Sequence, residues 1–173
     1  SAERQTHNLG EGKLPGAQEN DFNYYKARIL QETGHADEAR ALYEAASVGN
    51  SQPAAAIYYN DQKPDKIFYQ GLALLRLGRE TEARSRFNNL ISYGEKHLYD
   101  VFKMDYFAVS LPDLQIWEDD MDRKNVIHCN YLMGLGYLGL GDKTKAEKYF
   151  AAAAELDNNH QGVQVHRMML NEK

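Results

Sequence analysis

The 173-residue chain is poor in the residues that build covalent or metal-held folds, with a single cysteine, Cys129, and six histidines. One thiol excludes an intrachain disulfide and a multi-cysteine zinc site, and it fits a reducing, cytoplasmic setting, with export of a longer parent left open. Cys129 itself reads as a small packed residue. His7, His35, His97, His128, His160 and His166 never stand four apart, the spacing that sets two imidazoles on one helical face for a metal. No apolar run approaches the ~20 residues that cross a bilayer, and no basic segment followed by an apolar one opens the chain as a secretory signal would. The formal charge of -5, with Lys and Arg scattered, argues against a nucleic-acid surface. Gly134, Gly136, Gly139 and Gly141 fall within a helical pattern and its turn, not between a strand and a helix, so they form no phosphate loop. The acidic run Glu118-Asp119-Asp120-Met121-Asp122 lacks the spaced ligands and central glycine of a calcium loop and reads as a solvated turn and helix cap. No catalytic residue, cofactor or metal is expected.

What the chain does have is 43% hydrophobic residues, enough for one continuous core. Their periodicity is clearest from Ile127 to His160. Small residues, Gly134, Ala146 and Ala153, stand where two helices would touch, and Leu135, Tyr137, Leu138, Leu140, Tyr149 and Phe150 fill between them at helical spacing. Leu140-Gly141-Asp142 divides the stretch: glycine can end one helix in the left-handed conformation, and Asp142 can cap the next.

This 34-residue helix pair resembles a tetratricopeptide repeat. Counting Ile127 as the first position, the repeat's small, large, Gly, Ala, aromatic and Ala positions are Gly134, Tyr137, Gly141, Ala146, Phe150 and Ala153. The closing Pro is Asn158, and the fourth position, often Trp, is Asn130. One such pair cannot bury its apolar face alone, and two further copies are present. Starting at Asn20 they give Ala27, Leu30, Gly34, Ala39, Tyr43 and Ala46; starting at Pro64 they give Gly71, Leu74, Gly78, Ala83, Phe87 and Leu90. The expected fold is all-α: a tetratricopeptide-like α-α superhelix of about three hairpins, with repeats over about 20–53, 64–97 and 127–160, two insertions and a C-terminal capping helix.

Residues 1–19, polar and broken by Gly10, Gly12, Pro15 and Gly16, read as a linker from a preceding region, and the Ser1-Ala2 start suggests a fragment or processed product. The helical domain spans 20–173, its first pair covering Asp21 to about Thr33 and Ala36 to about Val48. Its turn glycines Gly34 and Gly78 lie 44 residues apart, so Gly49 to Lys63 carries extra chain, with apolar Ile57, Tyr58 and Tyr59 leading to Pro64 at a helix start. The second pair is predicted from Pro64 to about Leu77 and Glu80 to about Ser92, with Gly94 ending it. Gly78 and Gly141 lie 63 residues apart. The inserted segment, 98–123, holds Phe102, Tyr106, Phe107 and Trp117 among others, too apolar for a solvated linker, and is expected to pack on the array. Residues 161–173 read as the capping helix.

In such repeats the first helices line the concave face. Its candidate partner-binding residues are Tyr24, Arg28, Phe68, Leu72, Tyr131 and Leu135, with the three rings forming an aromatic ladder. Two readings stand: a ladder open to a peptide or apolar helix, or rings packed beneath the inserted segments. The stretches Asn8-Leu9-Gly10-Glu11-Gly12-Lys13, Tyr58-Tyr59-Asn60-Asp61 and Asp105-Tyr106-Phe107-Ala108-Val109-Ser110-Leu111-Pro112-Asp113 also resemble the C-terminal region of large bacterial tetratricopeptide proteins whose N-terminal domain is uncharacterised. This resemblance assigns no catalytic residue; the reading of the whole chain is a non-enzymatic scaffold that binds a protein or peptide segment, the N-terminal part of its own chain being one option. The alternative is an accessory module of a larger, carbohydrate-active enzyme.

Overall fold

The structure, a computed structural model, describes residues 18–55, 63–101 and 118–171. Most of the expected linker, the Ile57 to Tyr59 segment and residues 102–117, with Trp117, lie outside the described residues. Within them are seven α-helices and no strand: α1 (Asn20–Glu32), α2 (Ala36–Ser47), α3 (Pro64–Arg76), α4 (Glu80–His97), α5 (Glu118–Gly139), α6 (Lys143–Leu156) and α7 (Gln161–Met168), followed by a 3-10 turn, Met169–Asn171. Consecutive helices pair, α1 with α2, α3 with α4 and α5 with α6. The first helices also pack side by side, α3 against both α1 and α5.

The three hairpins turn in the same way. Gly34, Gly78 and Gly141 have φ of 86°, 75° and 82°, which side-chain-bearing residues rarely adopt. The next amide donates back across each helix end: His35 to Leu30 O at 2.8 Å, Arg79 to Leu74 O at 2.9 Å and Asp142 to Tyr137 O at 2.9 Å. Only the third hairpin caps its second helix with a side chain at this turn, the Asp142 carboxylate accepting from Lys145 N at 3.0 Å.

In the second and third hairpins the helices meet through a ring seated on a residue without a side chain. A Cβ on Gly71 would lie 2.3 Å from the Phe87 ring, and one on Gly134 would lie 2.4 Å from that of Phe150. On the second helices Ala39, Ala83 and Ala146 are all buried, as are Ala46, Leu90 and Ala153.

Two boundaries differ from expectation. Gly94 does not end α4, which continues to His97. A Cβ there would lie 2.7 Å from the Cys129 carbonyl oxygen, so this glycine serves the close crossing of α4 on α5. Likewise α5 begins at Glu118, nine residues before Ile127, so the acidic run, read as a solvated turn and helix cap, forms the start of the helix itself. Carboxylates favour the first turn of a helix, where unpaired N–H groups concentrate partial positive charge.

Residues 49–55 do more than connect α2 to α3. Their carbonyls accept from three successive helices: Asn50 O from Gln70 Nε2 on α3 at 3.1 Å, Ser51 O from Asn89 Nδ2 on α4 at 3.0 Å, and Ala54 O from His128 Nε2 on α5 at 2.8 Å. Asn20 Nδ2 donates to both Ala46 O and Val48 O at 2.8 Å, fixing the point where this strap leaves α2.

Replacing Gly94 with Ala in a solvent-facing helix would stabilise by about 0.5 to 1 kcal/mol. At this crossing the added methyl meets backbone, and the expected result is destabilisation by about 1 to 3 kcal/mol. Thermal melting of Gly94→Ala beside wild type reads the sign directly; a raised melting temperature would contradict the crossing.

Candidate functional site

The first helices α1, α3 and α5 carry aromatic residues that meet in one continuous row. Ring centroids are 5.6 Å apart for Tyr24 and Tyr69 and 5.4 Å for Tyr69 and Phe68. Phe68 then lies 5.3 Å from His166, and His166 lies 5.8 Å from Tyr131. Tyr25 extends the row outward, its hydroxyl 3.0 Å from that of Tyr69. His166 belongs to α7, so the C-terminal helix supplies the link between the rings of α3 and α5.

The candidate residues divide accordingly. Tyr24, Phe68, Tyr131 and Leu135 are buried, with exposures of 5%, 0%, 4% and 0%, while Arg28 and Leu72 are partly exposed. The open ladder is therefore corrected: the rings are covered. The expectation that the inserted segments do the covering falls mostly outside the described residues; among those described, the ring contacts on Phe68 and Tyr131 come from their own hairpins, from His160 and from α7. The described part of the first insertion is engaged instead through its carbonyls. α7 reaches the row because the chain turns sharply after α6 and His160 caps the next helix, Nδ1 accepting from Val163 N at 3.1 Å. The ring of His160 packs 4.8 Å from Tyr131.

Sequence reasoning missed His166 and Gln70. Both are polar residues buried within apolar surroundings, at 3% and 0% exposure. Gln70 has the strap carbonyl and Arg86 Nε, at 3.2 Å, as partners. The signal available was a polar residue at an inward helical position, which burial tolerates only with hydrogen-bond partners.

Burial pushes the phenols of Tyr69 and Tyr131 up from their ordinary value and the imidazoles of His128, His160 and His166 down. It raises the Cys129 thiol to about 12, which leaves it an inert packing residue at neutral pH. Among the described residues no group of His, Cys, Asp and Glu could hold a metal ion, and no helix is long and apolar enough to cross a membrane. A cleft of about 300 Å³ at the turn end of the first hairpin is lined by Gln31, Asp37, Arg40, Tyr43 and Arg76, among others. Its polar groups are partly committed, Tyr43 donating to Gln31 Oε1 at 2.8 Å.

Stacked helical hairpins with a ring-lined inner face define a helical-repeat scaffold, a class whose members typically bind proteins and lack catalytic machinery. Residues 127–160 match the family model of the tetratricopeptide repeat, and the fold is an all-α, tetratricopeptide-like superhelix. No solved structure matches the chain.

The three lowered imidazoles fix the direction of a pH effect. The unfolded chain binds protons near the ordinary value of 6.5 while the folded chain resists them. Their contribution to stability is thus complete above about pH 6.5 and is lost as pH falls below it. Urea unfolding at pH 7.5, 6.5 and 5.5 should show a declining midpoint, and His128→Asn should flatten part of that decline; equal slopes in the two proteins would remove His128 as a contributor.

Proposed function

We propose that the protein is a non-enzymatic scaffold whose inner face accepts a short amphipathic helix on the aromatic row of Tyr69, Phe68 and Tyr131. The observation that carries this reading is α7 itself, a helix of the same chain seated on the row through His166. Aromatic surface that meets a helix in cis has the shape and chemistry to meet a similar helix in trans, by the helix-in-groove mode. Such rings also dominate binding energy when they are uncovered. A second surface supports docking of chain that precedes α1. Phe22 and Ile29 stand on α1 at 40% and 62% exposure, on the end of the array where a further hairpin would stack.

The test uses the full chain with Val163→Asp, which places a carboxylate where a fully buried apolar anchor of α7 now lies. A synthetic peptide of residues 159–171, added at up to about 1 mM, should bind this variant saturably and wild type weakly, because in wild type the tethered α7 competes at high effective concentration. Chemical shifts of amides beside Tyr69 and Tyr131 report the site. An otherwise folded variant that binds no peptide would overturn the reading, and Tyr131→Ala combined with Val163→Asp should weaken the peptide by about 1 kcal/mol or more.

A further inference from the structure

α7 is only eight residues long, and an isolated helix of that length is unstable in water. It therefore depends on docking, and among its side chains only Val163 and His166 are buried. Val165 and Met168 are left facing outward at 37% and 64% exposure.

The environment of His166 is specific about protonation state. Nδ1 lies 2.7 Å from Gly162 O, which can only accept, so Nδ1 carries the proton. The Tyr131 hydroxyl oxygen is 3.0 Å from the same nitrogen. Nε2 then bears a bare lone pair, and it is fully enclosed without a hydrogen-bond partner among the described residues. The ring edge rests on Phe68 at an interplanar angle of 85°. A second proton would add an N–H and a positive charge at an atom that has no acceptor, and burying such a group without a partner is strongly unfavourable.

The charged and titratable groups around it act in both directions. Asp65 on α3 and Asp21 on α1 attract a proton to His166, whereas His160, just ahead of α7, opposes it. Asp21 is already paired with Lys66. Tyr69 and Tyr131 stay neutral because burial raises both phenols. Burial outweighs the two carboxylates and lowers the imidazole below its ordinary value.

We propose that α7 is a pH-sensitive latch: protonation of His166 in mildly acidic conditions releases α7 from α3 and α5 and uncovers the aromatic row. The latch is a local device within the fold, and only its consequence for a partner rests on the scaffold reading above.

Hydrogen exchange of the full chain at pH 7.5 and 5.5, corrected for the intrinsic rate, separates release of α7 from general loosening. Protection over residues 161–168 should fall about tenfold more than over 127–153. His166→Phe, which fills the same space without titrating, should abolish the difference. A parallel fall in both segments, or a fall of α7 that persists in His166→Phe, overturns the latch. Should the Phe variant not fold, the wild-type imidazole decides by magnetic resonance. The latch requires His166 to titrate below 6.5, with Phe68 and Tyr131 ring signals changing at the same midpoint, and any other result overturns it. Adding a 159–171 peptide that carries His166→Phe, and so cannot take up the proton, at pH 5.5 keeps the two readings apart. Release of α7 with no peptide bound sinks the partner site and leaves the latch, whereas peptide bound to Val163→Asp with no acid release does the reverse.

Discussion

The fold depends on how closely a phenylalanine ring can approach a neighbouring backbone. Phe87 lies between two first helices, against Gly71 of its own hairpin and Gly139 of the next, where added Cβ atoms would lie 2.3 Å and 2.2 Å from the ring. Phe150 does the same on Gly134. The spacing between helices follows from the thickness of one ring on one bare backbone, and the interior tolerates little deviation because it is packed to near-crystalline density. Once α3, α4 and α5 stand at these distances, the row of Tyr24, Tyr69, Phe68 and Tyr131 is brought into line.

Much of the hairpin geometry was legible in the sequence because it repeats. Gly34, Gly78 and Gly141 recur at one register, each demands positive φ, and each is followed by the same amide-to-carbonyl closure. Gly94 was misread for the same reason that the turn glycines were read correctly. Glycine ends helices and also permits close crossings, and only the partner backbone at Cys129 distinguishes the two.

The inner face was legible as composition and not as exposure. Tyr24, Phe68 and Tyr131 do occupy first helices, yet whether such rings face solvent depends on a segment distant in sequence. Among the described residues α7, read only as an end cap, meets Phe68 and Tyr131, and the contact is made by a histidine of the kind that spacing arguments had set aside. Periodicity identifies which faces are apolar; it does not state which two of them meet.

The strap from Gly49 to Ala55 changes how the array should come apart. A pure solenoid has only nearest-neighbour coupling, so its terminal units fray one at a time. Here the exit of α2 is hydrogen-bonded through one backbone segment to Gln70, Asn89 and His128, which lie on three different helices. Detaching the first hairpin pulls those carbonyls away from the buried Gln70 and from the α5 histidine together. The first and third hairpins therefore share a fate despite not being adjacent, and unfolding acquires the all-or-none cooperativity of a globular domain within an architecture built to unzip.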